Sequence, residues 1–522
     1  MALSIKPIEI VTQGKHQLLT KAKHWERVEL SYVAVVQNGF AFKSNLFTHS
    51  DGMPLIRIRD IDRGKTENFY SGNYSEDFVV RKGNILIGMD GDFNASIWQG
   101  SDGLLNQRVC RLIPITEKFS AKFLSLCLQP YLNAINAETS SVTVKHLSSK
   151  TIGEIPLPLP PTNEQHRIVA KIEALFSELD KGMESFKTAR EQLKIYRQAV
   201  LKHAFSGKLT EQWRAENQDA AQGCANAAGG QEPGAAKLET AEALLQRIQT
   251  EREQRYQQQL NDWEVNGKQG NKPKAPKTLP PLTAEELAEL PELPEGWAWV
   301  KVGETSDVQL GRQRSPNNRS NKFPTKYIRA GNITENGLNL DDVLDMEFDP
   351  QEKERFLLVY GDVLLSEASG SANQVGKPAI WRDEIEECCF QNTVIRVRSI
   401  ALNEYLFWVF KTYYVTGVFS KLSGGVGINH LSAGKLENMA IPIVGKFESE
   451  KILELINEKL SLIENVDQTL TIALQQAEAL RQSILKKAFS GQLVPQDPND
   501  ETASVLLERI KNSRQDAEAQ RI

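Results

Sequence analysis

Long apolar runs are missing from this 522-residue chain. None approaches the roughly 18 residues that a membrane-spanning helix needs. The opening residues, MALSIKPIEIVTQGKH, hold no apolar stretch of signal-peptide length, which predicts a cytoplasmic protein with no membrane partner. Cysteine is scarce. Five residues (Cys110, Cys127, Cys224, Cys388, Cys389), odd in number and without CxxC spacing, provide neither a disulfide framework nor a zinc site. Adjacent Cys388 and Cys389 would point to opposite faces of a strand, so buried structural thiols are expected. Catalytic signatures are lacking too. There is no GxxxxGK[ST] phosphate loop, no HExxH, no (N/D)PP(Y/F) of amino-methyltransferases and no GxSxG elbow. GGVG at 424–427 lacks the spacing of a nucleotide loop and reads as a turn. Net positive charge is also absent: the formal charge is −5, which as a whole-molecule property argues mildly against a nucleic-acid partner. What remains is ordinary globular composition, 40% hydrophobic and 25% charged, in a chain long enough for two or more domains.

The chain repeats itself. VLKHAFSGKL at 200–209 matches ILKKAFSGQL at 484–493, an offset of 284 (484 − 200). The same offset carries His146-Leu147-Ser148 onto His430-Leu431-Ser432, and Leu157-Pro158-Leu159 onto Ile441-Pro442-Ile443. Upstream, GNILI at 83–87 matches GDVLL at 361–365 at offset 278, and Trp25, Gly39, Ile56-Arg57 and Ile61 map at 272 onto Trp297, Gly311, Ile328-Arg329 and Ile333. Downstream, ETAEALLQRI at 239–248 matches ETASVLLERI at 501–510. Matches in fixed order along the whole length mean one unit used twice: globular domain, long helix, short helix.

The long helices carry seven-residue periodicity. Ile172, Leu179, Phe186, Leu193 and Val200 recur in the first, partnered by Ile168, Leu175, Ala189 and Tyr196. Ile456, Ile463, Leu470, Ala477 and Ile484 recur in the second, partnered by Ile452, Val466, Ala473 and Leu480. Each ends at the glycine of AFSG, a natural terminator. One apolar stripe per rod of roughly 60 Å predicts that the rods pair as a coiled coil rather than pack only on their own domains. The globular parts alternate short strand-like runs with Gly/Asn/Asp turns and read as mixed α/β (α+β). The expected organisation is an N-terminal segment 1–23, domain 24–160, helix 161–210, linker 211–293 with a short helix at 239–263, domain 294–445, helix 446–491 and tail helix 492–522.

Histidines 146 and 430 occupy the same place in both copies and read as packing or capping residues ahead of catalytic bases. Between Val308 and Thr334 no acidic residue occurs, yet Arg312, Arg314, Arg319, Lys322, Lys326 and Arg329 are basic. They are interleaved with asparagine and serine, types that bond phosphates and base edges. The matching stretch of the first copy holds Lys43, Arg57, Arg59, Arg63 and Lys65, diluted by Asp51, Asp60 and Asp62. A solvated loop and a DNA contact explain such charge equally well. Loops 88–103 and 366–381 occupy corresponding places but share almost no sequence, as expected of one scaffold reading two targets. Their candidates are Asp90, Asp92, Phe93 and Asn94 in the first, and Ser371, Asn373 and Gln374 in the second. The acids Asp90 and Asp92 suit a turn as well as chemistry.

Over nearly its whole length the chain resembles the specificity subunits of Type I restriction-modification systems. The resemblance rests on AFSGKL and AFSGQL, on IPLPLPPTNEQHRIVAKIEALFSELD, on LPEGWAWVKVGE opening the second domain, and on MDGDFN…NQRVCRLIP in the first. It implies two similar target-recognition domains separated by two long antiparallel coiled-coil helices, each domain reading half of a bipartite, asymmetric site in double-stranded DNA. It implies a non-catalytic subunit with no directly bound cofactor, S-adenosylmethionine, ATP and Mg2+ belonging to partners. Those partners are two modification (methyltransferase) subunits and, through them, restriction subunits. Phe205, Ser206, Phe489 and Ser490, at the helix ends, become candidate contacts to the modification subunit. The rival readings are a coiled-coil interaction scaffold without DNA, a fused methyltransferase, for which the motifs are missing, and the recognition subunit of a related methylation-based phage-defence system.

Overall fold

In the computed structural model, residues 5–115, 117–139, 145–217, 239–270, 272–313, 322–369, 374–422 and 429–519 are described. The chain divides into two units, one of Met1–Lys187 with Leu470–Ile522 and the other of Thr188–Thr469. Each long helix is therefore split between them.

The internal repeat is reproduced in a two-stranded and a four-stranded sheet of each unit, while the remaining strands are arranged differently in the two. In the first unit Glu26–Glu29 pairs antiparallel with Pro156–Leu159, Glu26 opposite Leu159. In the second, Ala298–Lys301 pairs with Ala440–Ile443, Ala298 opposite Ile443. These are the register positions that the offsets of 272 and 284 require. Each unit then has a four-stranded antiparallel sheet. Its order is Ala34–Asn38, Val109–Pro114, Ile85–Gly88, Ala95–Ile97 in the first, and Ser306–Leu310, Val394–Ser399, Val363–Ser366, Pro378–Ile380 in the second.

The GNILI and GDVLL runs are apolar without alternation because both faces of their strands are covered. Side chains along a strand alternate in direction. Accordingly Ile85 and Ile87 enter the main core of the first unit, with helix Ala121–Glu138, while Leu86 enters a smaller core with Trp98 and Val109. Val363 and Leu365 likewise enter the main core of the second unit, and Leu364 a second one around Phe348, Trp381 and Phe390. Cys110, Cys127, Cys388 and Cys389 are all buried, as expected, while Cys224 lies outside the described residues. Burial pushes Cys110, Cys388 and Cys389 up to about 12, so these thiols stay protonated and inert.

Gly39 and Gly311 mark the point where the outer strand meets the parallel bridges Phe40 to Asn106 and Arg312 to Gln391. A Cβ at Gly39 would overlap the Asn106 carbonyl, and at Gly311 the Gln391 carbonyl. Backbone cannot yield as a side-chain tip can. Gly311→Ala is thus expected to destabilise the second unit by roughly 1–3 kcal/mol, read as a lower urea midpoint. An unchanged midpoint would show that the strand can move aside.

The long helices run Thr162–Ala204 and Lys446–Phe489. In the first unit Asp180 forms an ion pair with Arg481, whose guanidinium lies 4.4 Å from the Phe176 ring centroid. In the second, Arg190 Nε is 2.9 Å from Asp467, and Glu448 accepts from Thr210 at 2.7 Å. Rising numbers on one helix meet falling numbers on the other, so the helices pair antiparallel. Of the seven-residue rows, Ile172, Val200, Ile456, Ile463, Ala477 and Ile484 are buried, Ile172 and Ile484 in the main core of the first unit and Ile456 in that of the second, while Leu179, Phe186, Leu193 and Leu470 are half-buried. The second row is buried at Ile168 and Ile452 but less covered elsewhere: Tyr196 is 48% exposed, Val466 39% and Leu480 51%.

Both helices stop as the sequence requires, with Gly207 at φ +74° and Gly491 at φ +71°. The short helices Ala241–Val265 and Ala503–Ala519 follow. Leu244 and Ile248 join the core of the second unit, with Leu201, Ala204 and Phe205. Leu506 and Ile510 join the core of the first, with Ala488 and Phe489. The tail of each copy is built into the domain of the other.

Candidate nucleic-acid interface

The cations of the first domain sit around a short hairpin and turn. Strand Met53–Ile56 delivers Arg57 to a 3-10 turn, Ile58–Asp60, whose Asp60 carboxylate accepts the Arg57 backbone N–H at 2.9 Å. The Arg57 guanidinium lies over Phe47, 5.1 Å from the ring centroid. Its backbone equivalent, Arg329, follows strand Pro324–Ile328, and its N–H is accepted by Asn332 at 3.1 Å. The side chains diverge, because Arg329 pairs with Asp342. Lys43, Arg59, Arg63 and Asp92 are exposed. Arg59 lies 3.9 Å from Asp60, too far for more than a loose pair.

Several expected contacts prove to be internal. Phe93 is fully buried, at φ +55°, and belongs to the main core. Its left-handed backbone turns the ring inward under the loop, so it cannot meet DNA as expected. Asn94 donates to Asp62 at 2.7 Å, tying the loop to the 3-10 turn. Asp90 is a counter-ion, 3.0 Å from Arg108 and 2.6 Å from His146 Nδ1.

In the second domain the reading of 308–334 as cations without counter-charge is corrected at two positions. The Arg312 side chain is only 7% exposed, 2.8 Å from Glu352, with its guanidinium 5.3 Å from the Phe348 ring centroid. It is an internal strut. Arg329 has Asp342. Both acids lie beyond the window that looked acid-free. Lys322 and Lys326 are exposed. Gln374 is half-buried, and its carbonyl accepts from Ser366 Oγ at 2.9 Å. Arg314, Arg319, Ser371 and Asn373 lie outside the described residues. The exposed candidates are therefore Lys43, Arg59, Arg63 and Asp92 in one domain and Lys322 and Lys326 in the other.

The helix-end candidates also turn inward. Phe205 is 6% exposed, with its ring 5.3 Å from that of Tyr405. Phe489 is 1% exposed, and its ring lies 6.3 Å from that of Phe123. Both plug domain cores instead of facing a partner. Ser206 and Ser490 are half-buried and bond only back to their own helix, at His203 and Lys487.

The sequence reading missed Arg108, whose side chain is 56% exposed, because its anchor Asp90 stands eighteen residues earlier (108 − 90). Among the described residues no group of three or more His, Cys, Asp or Glu side chains is placed to hold a metal ion, and no helix is long and apolar enough to cross a membrane.

Comparison with known proteins agrees with this architecture. Residues 22–185 match the family model described as Type I restriction modification DNA specificity domain. The chain is 29% identical to the Type I restriction enzyme EcoBI specificity subunit of Escherichia coli, over 97% of this chain and 96% of the relative. It is 21% identical to the EcoKI specificity subunit of Escherichia coli strain K12, over 94% and 95%. A solved structure from work on complex assembly and conformational transition of the type I R-M system shares the fold, with a TM-score of 0.58 at 17% identity over 91% of this chain and all of that one. Doubled domains, paired helices and relatives matched over nearly their whole length converge: the chain is similar to the specificity subunits of Type I restriction-modification systems.

Proposed function

We propose that this subunit reads a bipartite, asymmetric site in double-stranded DNA, one half through each domain, and docks two modification subunits, through which restriction subunits join. The observation that carries the reading is the equal register of the two domains beneath unequal loops. The strand pairs 26–29 with 156–159 and 298–301 with 440–443 are superposable in pairing, while segments 88–103 and 366–381, which hold the corresponding edge strands Ala95–Ile97 and Pro378–Ile380 and were expected to be loops, differ in sequence. A scaffold that needed only rigidity would have no use for diverged loops on a preserved frame. The apolar flank of the paired helices, with Tyr196, Val466 and Leu480 exposed, supports helical docking of another subunit. S-adenosylmethionine, ATP and Mg2+ would enter with the partners.

Filter binding of the chain with its modification partner to duplex DNA at varied salt tests the reading. Each cation that neutralises a phosphate contributes about −0.9 to the slope of log affinity against log salt. Replacing exposed Lys322 and Lys326 together by alanine should flatten the slope by up to about 1.8. No salt-dependent binding by the wild-type complex would favour a protein scaffold; binding with an unchanged slope would show that these lysines face solvent.

A further inference from the structure

Within each copy the tripeptide His-Leu-Ser has two members whose work is plain. Leu147 and Leu431 are buried in the main cores. Ser148 and Ser432 cap the following short helices, accepting from the N–H of Thr151 and of Lys435. The histidines are different. The His146 side chain is 50% exposed and that of His430 52%, each held by a carboxylate that is itself only 17% or 11% exposed. A residue that served packing would be covered, and one that served only to cap would need no ring.

The two carboxylates are not equivalent in the repeat. Met89 and Glu367 are the matching positions: their carbonyls accept from Leu147 at 2.7 Å and Leu431 at 2.8 Å, and their N–H groups donate to the carbonyls of Arg108 and Thr393. In the second copy the acid is Glu367 itself, whereas in the first it is the next residue, Asp90, whose position matches Ala368. The pairing of imidazole with acid is thus kept while its acid has changed place. Plain inheritance of a structural contact would have kept the position. Retention of the pair by a different route indicates that the oriented imidazole is what matters.

We propose that His146 and His430 are a matched pair of contacts to DNA backbone phosphates, one on each recognition domain beside its diverged loop. The inference rests on the DNA-reading function above. A carboxylate on one ring nitrogen fixes the orientation of the ring. The other nitrogen, Nε2 of His146 and Nδ1 of His430, then offers an N–H to an anion. Among the described residues the charged groups facing His146 are Asp90 and, across it, Arg108, while Lys145 turns to the carbonyl of Asn136. Glu367 faces His430, with burial raising its carboxyl and the imidazole drawing it back down. Arg108, 56% exposed, adds a permanent cation beside the first pair.

Phosphate contact raises the imidazole pKa in the complex, so the extra affinity is complete below the free pKa and is lost as pH rises through the bound one. A one-unit rise corresponds to tenfold in affinity. Affinity of the wild-type complex for its DNA is therefore expected to fall by about tenfold per histidine between pH 6 and pH 9. The double variant His146→Gln, His430→Gln should show a flat profile at the wild-type's alkaline affinity. His146→Lys should restore most of the acid-side affinity without the pH dependence. Circular dichroism and thermal midpoints monitor folding. Variants that lose stability but keep the wild-type pH profile would overturn the proposal and leave the histidines as loop ties. A wild-type profile already flat over this range, with the double variant binding equally well, would overturn it too. Failure of the wild-type complex to bind DNA at any pH would strike instead at the function on which the inference rests.

Discussion

Exchanging residues 294–445 for the matching segment of a relative with another target is expected to change one half of the recognised sequence and leave the other as it was. The two main cores have no residue in common: one gathers Trp25, Phe123 and Phe489, the other Trp297, Tyr405 and Phe205. The second domain also has its own subsidiary core around Phe348 and Phe390. Loop positions in one unit are thus fixed by packing that the other does not enter. The exchange has a condition, however. Leu201, Ala204, Phe205, Ala241, Leu244 and Ile248 lie outside the exchanged segment and fill its core. A donor must present a surface that fits them, or the hybrid loses volume-matched packing and stability. Mapping methylated sites in host DNA reads the result. One new half-site beside one old one is expected; both halves changing together would mean that the domains do not read independently.

The repeat and the paired helices were legible because they depend on local pattern: seven-residue apolar recurrence, a glycine at each helix end and strands that hold their register through insertions in loops. Which domain receives each helix end was not legible. AFSGKL and AFSGQL are nearly the same, and either would satisfy the core beside Phe123 or beside Tyr405 on pattern alone. The charge reading failed for a similar reason. Counting acids between 308 and 334 cannot see Asp342 and Glu352, which the fold brings to Arg329 and Arg312. Phe93 was misread because its neighbours Asp90, Asp92 and Asn94 look like a solvent loop, whereas its ring is fully buried in the main core. The histidines stand out in the sequence as a duplication, but their acids come from positions that the repeat does not match, so no alignment of the chain with itself could pair them.

Phe489→Ala should cost the first unit about 3–5 kcal/mol, although the residue stands at the end of a helix where an exposed contact was expected. Its ring is 1% exposed and packs edge-on to Phe123, in the core that also holds Ile484, Ala488, Leu506 and Ile510. Truncation removes a large apolar surface and leaves a cavity beside Phe123 of helix Ala121–Glu138, in the core that the tail helix also enters. Neither helix can close the gap without breaking its own packing. Phe205→Ala should have a comparable effect in the second unit through lost contact with Tyr405. Because the cores are separate, amide exchange should accelerate in only one unit for each variant, in peptides from 121–138 for Phe489→Ala and from 403–415 for Phe205→Ala. Ser490→Ala, which removes only a bond back to its own helix, should change stability by no more than about 0.5 kcal/mol. A Phe489→Ala protein with wild-type exchange that no longer assembled with its modification partner would reverse the assignment, placing the ring at an interface and not in the core.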